Sequence, residues 1–235
     1  MKVGAIIPAA GLGKRIGSAK PKQFLELQGR PLLHHTLKIF SSCEMIDQVV
    51  LVMPQIDVDE SGNNWLAEYK VIDKVVAGGQ QRQDSVYNGF NELDKTTEIV
   101  VVHDGVRPFT TSQMIVDTIK AAEKHGAAIT AIPVNDTIKK VSNGFVEQTV
   151  SRDSLWRVQT PQAFQYSLLE KAFKKAIVNS YYGTDEGALI EYIGHEIKVV
   201  PGSELNIKIT HKEDLILGES LLSAPKSVIV KKLNN

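Results

Sequence analysis

The chain is predicted to adopt an α/β fold: a mainly parallel, twisted sheet flanked by helices, with one β-hairpin arm protruding from it. Three observations carry this. Short apolar runs alternate with stretches of helical periodicity as far as residue 134. Small, ligand-tolerant residues stand at or just past the ends of several of those runs. The alternation then breaks over 135–158, where two runs of Thr, Val, Ile and Phe flank Ser142-Asn143-Gly144, a hairpin-turn signature.

Taken in order, Val3-Gly4-Ala5-Ile6-Ile7 reads as a buried strand within 2–7. Leu32, Leu33, Leu37 and Phe40 place a helix over about 31–42, and Cys43 after it reads as a small buried residue rather than a nucleophile. A strand at 48–53, a helix at about 60–69, a strand at 72–76 and a helix at 81–93 follow. Next come a strand at 98–103, a helix at 112–124 capped by Thr111 or Ser112, and a strand at 127–134. The 135–158 hairpin has little core of its own and needs something to pack on. Beyond it lie helices at about 167–178 and 185–192, a strand at 197–200 and a helix at 211–222. In the segment before that helix, Asn206, Lys208 and Thr210 alternate with Leu205, Ile207 and Ile209, as on a two-faced strand. Residues 1–222 form a single domain in this reading, and the tail 223–235 takes no part in chemistry. Strand–helix alternation of this Rossmann-like kind puts ligands at the carboxyl ends of the strands. The loop at 8–13, Gly78-Gly79 and His103-Asp104 all fall there, which points to one shared site.

Composition bounds the partners. The 235 residues carry 27 basic and 27 acidic side chains, so no overall field draws nucleic acid or a membrane surface. No stretch has the length of a membrane span and no signal sequence opens the chain. The single cysteine excludes an intramolecular disulfide and fits a reducing cytoplasm. Spacings for structural zinc and for a serine-hydrolase elbow are absent. His34-His35 sits in an amphipathic helix and reads as structural.

The first loop, Pro8-Ala9-Ala10-Gly11-Leu12-Gly13-Lys14-Arg15, is neither a P-loop nor a dinucleotide fingerprint: no Ser/Thr follows the basic pair, and the third glycine is missing. It still leaves backbone N–H groups free to face phosphate oxygens, and Arg15 and Lys22 add positive charge beside it. That combination suits a nucleoside triphosphate.

Ala-Ala-Gly-x-Gly-x-Arg followed by Pro21-Lys22-Gln23 resembles the nucleotide-sugar pyrophosphorylase superfamily. Further segments appear in order: His103-Asp104-Gly105-Val106-Arg107-Pro108, Pro133 to Lys139, Arg152-Asp153-Ser154-Leu155-Trp156, Gln159-Thr160-Pro161-Gln162, Thr184-Asp185-Glu186 and Asn206 to Thr210. Together they resemble the 2-C-methyl-D-erythritol 4-phosphate cytidylyltransferase family over roughly residues 1–222. The resemblance implies transfer of CMP from CTP to a polyol phosphate with release of pyrophosphate, a Mg²⁺ requirement, and a homodimer whose arms complete each other's sites. Nucleotidyl transfer is mostly positioning and charge stabilisation, so cations should outnumber bases in the site.

By this resemblance Arg15, Lys22, Arg152 and Lys208 carry the catalysis, with Lys208 orienting the attacking phosphate and Arg152 acting from the neighbouring subunit's arm. Ala9, Ala10, Gly11, Gly13, Gly79, Gln80, Ser85 and Gly105 bind CTP, although relatives often carry an acidic residue at Gln80 and alanine at Gly105. Asp104, Arg107, Thr137, Thr160 and Thr184 bind the acceptor, and Asp104 is the candidate for Mg²⁺ held mainly by the CTP phosphates. His103 reads as a buried, hydrogen-bonded residue rather than a base, Asp84 as structural, and Asp185 as a helix N-terminus. Two other functions fit the same nucleotide half: a ribitol-5-phosphate cytidylyltransferase of wall or capsule synthesis, and a non-catalytic nucleotide-binding subunit.

Overall fold

Among the described residues seven strands form one twisted sheet, with helices on both faces. The molecule is described by a computed structural model covering residues 1–11, 21–55, 58, 66 and 68–224. The strands are β1 (Val3–Pro8), β4 (Gln48–Met53), β5 (Ile72–Ala77), β6 (Ile99–Val102), β7 (Ala127–Pro133), β10 (Trp156–Gln165) and β11 (Lys198–Pro201), side by side in the order β11-β7-β10-β6-β1-β4-β5. A two-residue pair, β2 (Glu26–Leu27) and β3 (Arg30–Pro31), stands apart. The helices are α1 (Leu32–Ser41), α2 (Arg82–Asn91), α3 (Ser112–His125), α4 (Tyr166–Val178), α5 (Glu186–Tyr192) and α6 (Lys212–Ser223). The helix expected over 60–69 and the tail from residue 225 lie almost wholly outside the described residues.

β1 pairs in parallel with β4 and β6, β4 with β5, and β7 with β11. Every residue of β4 and β6 is buried, because helices cover both faces, and this is why those strands read as unbroken apolar runs. α2 lies close on the sheet: a Cβ on Gly89 would stand 2.6 Å from Ile6 Cγ2 and 2.9 Å from Val52 Cγ2. Thr111 caps α3 by accepting the Met114 N–H at 3.1 Å. Among the described residues no helix is long and apolar enough to cross a membrane.

The hairpin differs from the expectation at one end. β8 (Ile138–Ser142) and β9 (Phe145–Val150) form the arm, joined through Asn143 and Gly144 with φ of 50° and 83°. Positive φ at both positions is the primed hairpin turn that Asn-Gly favours. The chain does not leave the sheet after the arm, however. Trp156 pairs with Pro133, and β10 runs antiparallel between β7 and β6 through the middle of the sheet. Pro161 argues against a central strand, but it sits in the register shift between Val158 and Gln162 and interrupts no paired residue.

The segment 205–210 corrects a second expectation. β11 ends at Pro201, and Asn206 to Thr210 form no ladder. Ile209 N–H donates to the Val106 carbonyl at 2.9 Å, while Asn206 is fully buried and bonds sideways to the Thr160 carbonyl at 2.9 Å. The segment is held by β6's loop and β10, not by a neighbouring strand.

Candidate active site

A cleft of about 450 Å³ opens at the carboxyl ends of β1, β5 and β6. Pro8, Ala9, Ala10 and Gly11 line it after β1, Lys22 and Gln23 from the following 3-10 turn, Gly79 to Arg82 and Ser85 after β5, Asp104 and Val106 after β6, and Lys208 from the C-terminal segment. Apolar strand interiors hold the wall, and the turns that follow them are short because each is tied back: Ala9 N–H donates to Val52 O at 2.7 Å, and Gly78 N–H to Met53 O at 2.8 Å.

Two turns touch across this wall. A Cβ on Gly78 would stand 2.3 Å from Ala10 Cβ and 3.0 Å from Ser85 Oγ. Gly78→Ala therefore has to push the Ala9–Gly11 loop or α2 aside. We expect it to raise the KM for CTP about tenfold and to cost about 1–3 kcal/mol of stability, read from steady-state kinetics and urea unfolding. The Ser85 hydroxyl donates to Gln81 O and accepts the Gly79 N–H, both at 3.1 Å, so it shapes the turn that presents Gly79 and Gln80. Gln81 N–H donates to Asp84 Oδ2 at 2.9 Å, which gives Asp84 its structural role. The bare Cα of Gly11 leaves room for Lys22, whose Cε lies 3.8 Å from where a Cβ would be. Arg15 and Gly13 lie outside the described residues.

Asp104 is the electrostatic centre. It is buried, and three cations reach it: Lys208 Nζ at 2.8 Å, Arg82 Nε at 3.3 Å and Arg107 Nε at 3.5 Å. Burial opposes its ionisation, but Arg82, Lys208 and Arg107 outweigh that and hold the carboxyl far below the usual carboxylate range. Arg82 also reaches Glu186, its Nη1 donating to both carboxylate oxygens at 2.9 Å. Glu186 is 1% exposed, and burial pushes its carboxyl up, an effect that Arg82 partly offsets. Arg107 donates to the Asn206 carbonyl at 2.8 Å.

A hydrogen-bonded relay sets the Asp104 backbone. Thr160 Oγ1 accepts the Asp104 N–H at 3.1 Å and lies 3.1 Å from His103 Nδ1. His103 Nε2 lies 3.1 Å from the Arg107 carbonyl. A carbonyl can only accept, so Nε2 carries the hydrogen, Nδ1 accepts from the Thr160 hydroxyl, and the ring is neutral. Burial lowers the His103 pKa to about 4. His103 is thus a strut and not a base. The sign for stability follows: the unfolded chain takes a proton near pH 6.5 that the folded chain refuses, so stability falls as pH drops from there towards about 4. We expect a loss of about 2 kcal/mol between pH 7 and pH 5 in urea titrations, flattened in a folded His103→Gln variant.

A smaller cavity of about 190 Å³ adjoins the cleft and shares Arg82, Asp104 and Lys208 with it. Arg107, Thr160, Thr184 and Asp185 line its far side. Asp185 caps α5, accepting the Ala188 N–H at 2.9 Å. Of the residues expected at the site, Ala9, Ala10, Gly11, Lys22, Gly79, Gln80, Ser85, Asp104 and Lys208 meet at the cleft, and Arg107, Thr160 and Thr184 at the smaller cavity. Gly105 lines neither: it is buried, its N–H donates to Pro8 O and its carbonyl accepts from Thr36. Thr137 and Arg152 are exposed on the arm and line neither cavity of their own chain; the Arg152 guanidinium donates to the Asn135 carbonyl. Arg82 and Glu186 are the pair that sequence reasoning passes over, since their contact joins residues 104 positions apart.

Two adjoining cavities that share an acidic residue ringed by cations suit the binding of anionic molecules. The IspD family model, 2-C-methyl-D-erythritol 4-phosphate cytidylyltransferase, matches residues 3–224. The chain belongs to this family. It is 46% identical over 224 residues to the 2-C-methyl-D-erythritol 4-phosphate cytidylyltransferase of Syntrophus aciditrophicus, covering 94% of this chain and 96% of that one. The Geobacillus thermodenitrificans protein of the same name is also 46% identical, over 228 residues, covering 95% and 98%. The crystal structure of 4-diphosphocytidyl-2C-methyl-D-erythritol synthase from Anaerococcus prevotii superposes with a TM-score of 0.83 at 35% identity, over 95% of this chain and 99% of that one. The Thermus thermophilus cytidylyltransferase superposes at 0.80 and 32% identity, over 95% and 100%. The IspD fold is therefore the α/β sheet described above.

Proposed function

We propose the following division of labour for the transfer of CMP from CTP to 2-C-methyl-D-erythritol 4-phosphate. Membership of the IspD family makes the chain a cytidylyltransferase of isoprenoid biosynthesis. The observation that supports the assignment of roles is the pair of cavities meeting at Asp104, Arg82 and Lys208. CTP occupies the larger one, with its triphosphate along Ala10, Gly11 and Lys22 and its base towards Gly79 and Gln80. The acceptor occupies the smaller one, its polyol near Asp104, Thr184 and Arg107 and its phosphate at Lys208. A phosphate oxygen of the acceptor attacks the α-phosphorus in line, the bond to the bridging oxygen breaks, and pyrophosphate leaves. The nucleophile is already anionic, so no side chain has to remove a proton. Lys22, and Arg15 by resemblance, stabilise charge on the α-phosphate and on the leaving group.

Asp104 is poorly suited to bind a metal by itself, since both its oxygens already face cations, and the described residues contain no group of three or more His, Cys, Asp or Glu that could hold one. Mg²⁺ belongs to this reading as the companion of the CTP phosphates, which restoration of turnover by Mg²⁺ after EDTA treatment would support.

The second subunit enters through the arm. Phe145 and Val146 are 78% and 61% exposed and Val141 is also open, on a hairpin with no core of its own, and Trp156 at the start of β10 is open beside it. A second copy covers these side chains in our reading, and its Thr137 and Arg152 reach the acceptor phosphate. The buried single cysteine, Cys43, accords with a cytoplasmic enzyme.

The test is pyrophosphate release from CTP and Mg²⁺ with 2-C-methyl-D-erythritol 4-phosphate and, in parallel, with ribitol 5-phosphate. Turnover with the first alone supports the assignment. Turnover with ribitol 5-phosphate alone would replace the acceptor and keep the nucleotide half; silence with both would leave a nucleotide-binding subunit.

A further inference from the structure

We infer that Arg82 is a positioning residue for the acceptor phosphate: pinned by Glu186, it holds Asp104 in place when Lys208 leaves Asp104 for the phosphate. The inference rests on seating the acceptor phosphate at Lys208.

The three cations around Asp104 are tethered differently. Arg82 makes two 2.9 Å bonds to Glu186. Arg107 is fixed by the Asn206 carbonyl at 2.8 Å. Lys208 has Asp104 as its single ion-pair partner among the described residues. Its ammonium is a point charge on a flexible stem, whereas Arg82 Nη1 is shared between both Glu186 oxygens and loses both contacts if it moves. Glu186 cannot follow a moving partner, because α5 is itself clamped: Gln162 donates to Asp185 at 2.7 Å and accepts the Gly187 N–H at 3.2 Å.

A doubly charged phosphate entering the shared wall offers Lys208 a stronger partner than a carboxylate already neutralised by two other cations. Release of Lys208 then leaves Asp104 facing Arg82 and Arg107, its buried charge still compensated. Without Arg82, Asp104 leans on Lys208, and every acceptor molecule has to take that lysine from a more needy anion. The cost falls on the acceptor and not on CTP.

The experiment is a double-mutant cycle with R82Q, D104N and the pair, measuring KM and kcat for each substrate. We expect R82Q to raise the acceptor KM about tenfold while the CTP KM stays within about threefold. In the D104N background the same change should add less than about twofold, because the residue it acts through is gone. E186Q, which keeps the shape and removes the charge that pins Arg82, should raise the acceptor KM in the same direction, and R82K should not rescue. Additive costs in the cycle, or a parallel rise in the CTP KM, would overturn the inference. If R82Q fails to fold by circular dichroism, E186Q with and without D104N decides it on the same criteria. A wild-type enzyme inactive with 2-C-methyl-D-erythritol 4-phosphate would instead sink the acceptor assignment.

Discussion

Lys22→Ala is expected to slow pyrophosphate release by about 10²–10³-fold, or about 3–4 kcal/mol, with the thermal midpoint nearly unchanged. The size follows from where the charge is. Lys22 lines the cleft proposed for CTP, and its stem lies against Gly11, beside the loop assigned to the triphosphate. Charge moves onto the α-phosphate oxygens and the leaving pyrophosphate as the bond breaks, and a preplaced cation stabilises that state more than the ground state. The fold should survive because the residue is only half-buried, on a three-residue 3-10 turn whose Phe24 packs against the main hydrophobic core. A drop of less than tenfold in kcat, with CTP still bound, would remove Lys22 from the chemistry.

The second large effect concerns the arm. Arg152→Ala and Lys208→Ala should each be nearly inactive as pure proteins, and equal mixtures refolded together should regain about a quarter of wild-type activity. The arithmetic is that of a two-fold dimer: half the dimers are mixed, and each mixed dimer carries one site with both residues intact. A site built within one chain gives no recovery at any mixing ratio. The structure favours recovery, since Arg152 is exposed and lines neither cavity of its own chain.

How much of this was legible in the sequence depends on how far apart the partners are. β1, β4 and β6 announce themselves because both of their faces are apolar, and the Asn143-Gly144 turn because only a few residues tolerate its backbone. β10 stayed hidden. Its buried stretch contains Gln159, Thr160 and Gln162, whose polar groups are satisfied by Asn206, His103 and Asp185, none of them nearby in the chain. A pattern rule expects polar residues outside, and it has no means of foreseeing partners 23 to 57 positions away. Alternation turns Lys208 towards a polar face, although its segment proves not to be a strand: the side chain lines the cleft for a different backbone reason. Gly105 went the other way, a small residue beside the cleft whose main chain is spent on Pro8 and Thr36.

The arm's attachment has a consequence for redesign. Both of its strands continue from a paired couple in the main sheet, with Trp156 opposite Pro133, and its tip is an exposed two-residue turn. Extra residues at the tip need not disturb the sheet, provided each strand grows by two, since a single added residue would turn every outward side chain over. Arm length and tip composition can therefore be altered together without touching the cleft. If arms complete each other's sites as proposed, two versions of this chain carrying arms that recognise only each other would make an obligate pair, in which neither chain alone forms a complete catalytic centre.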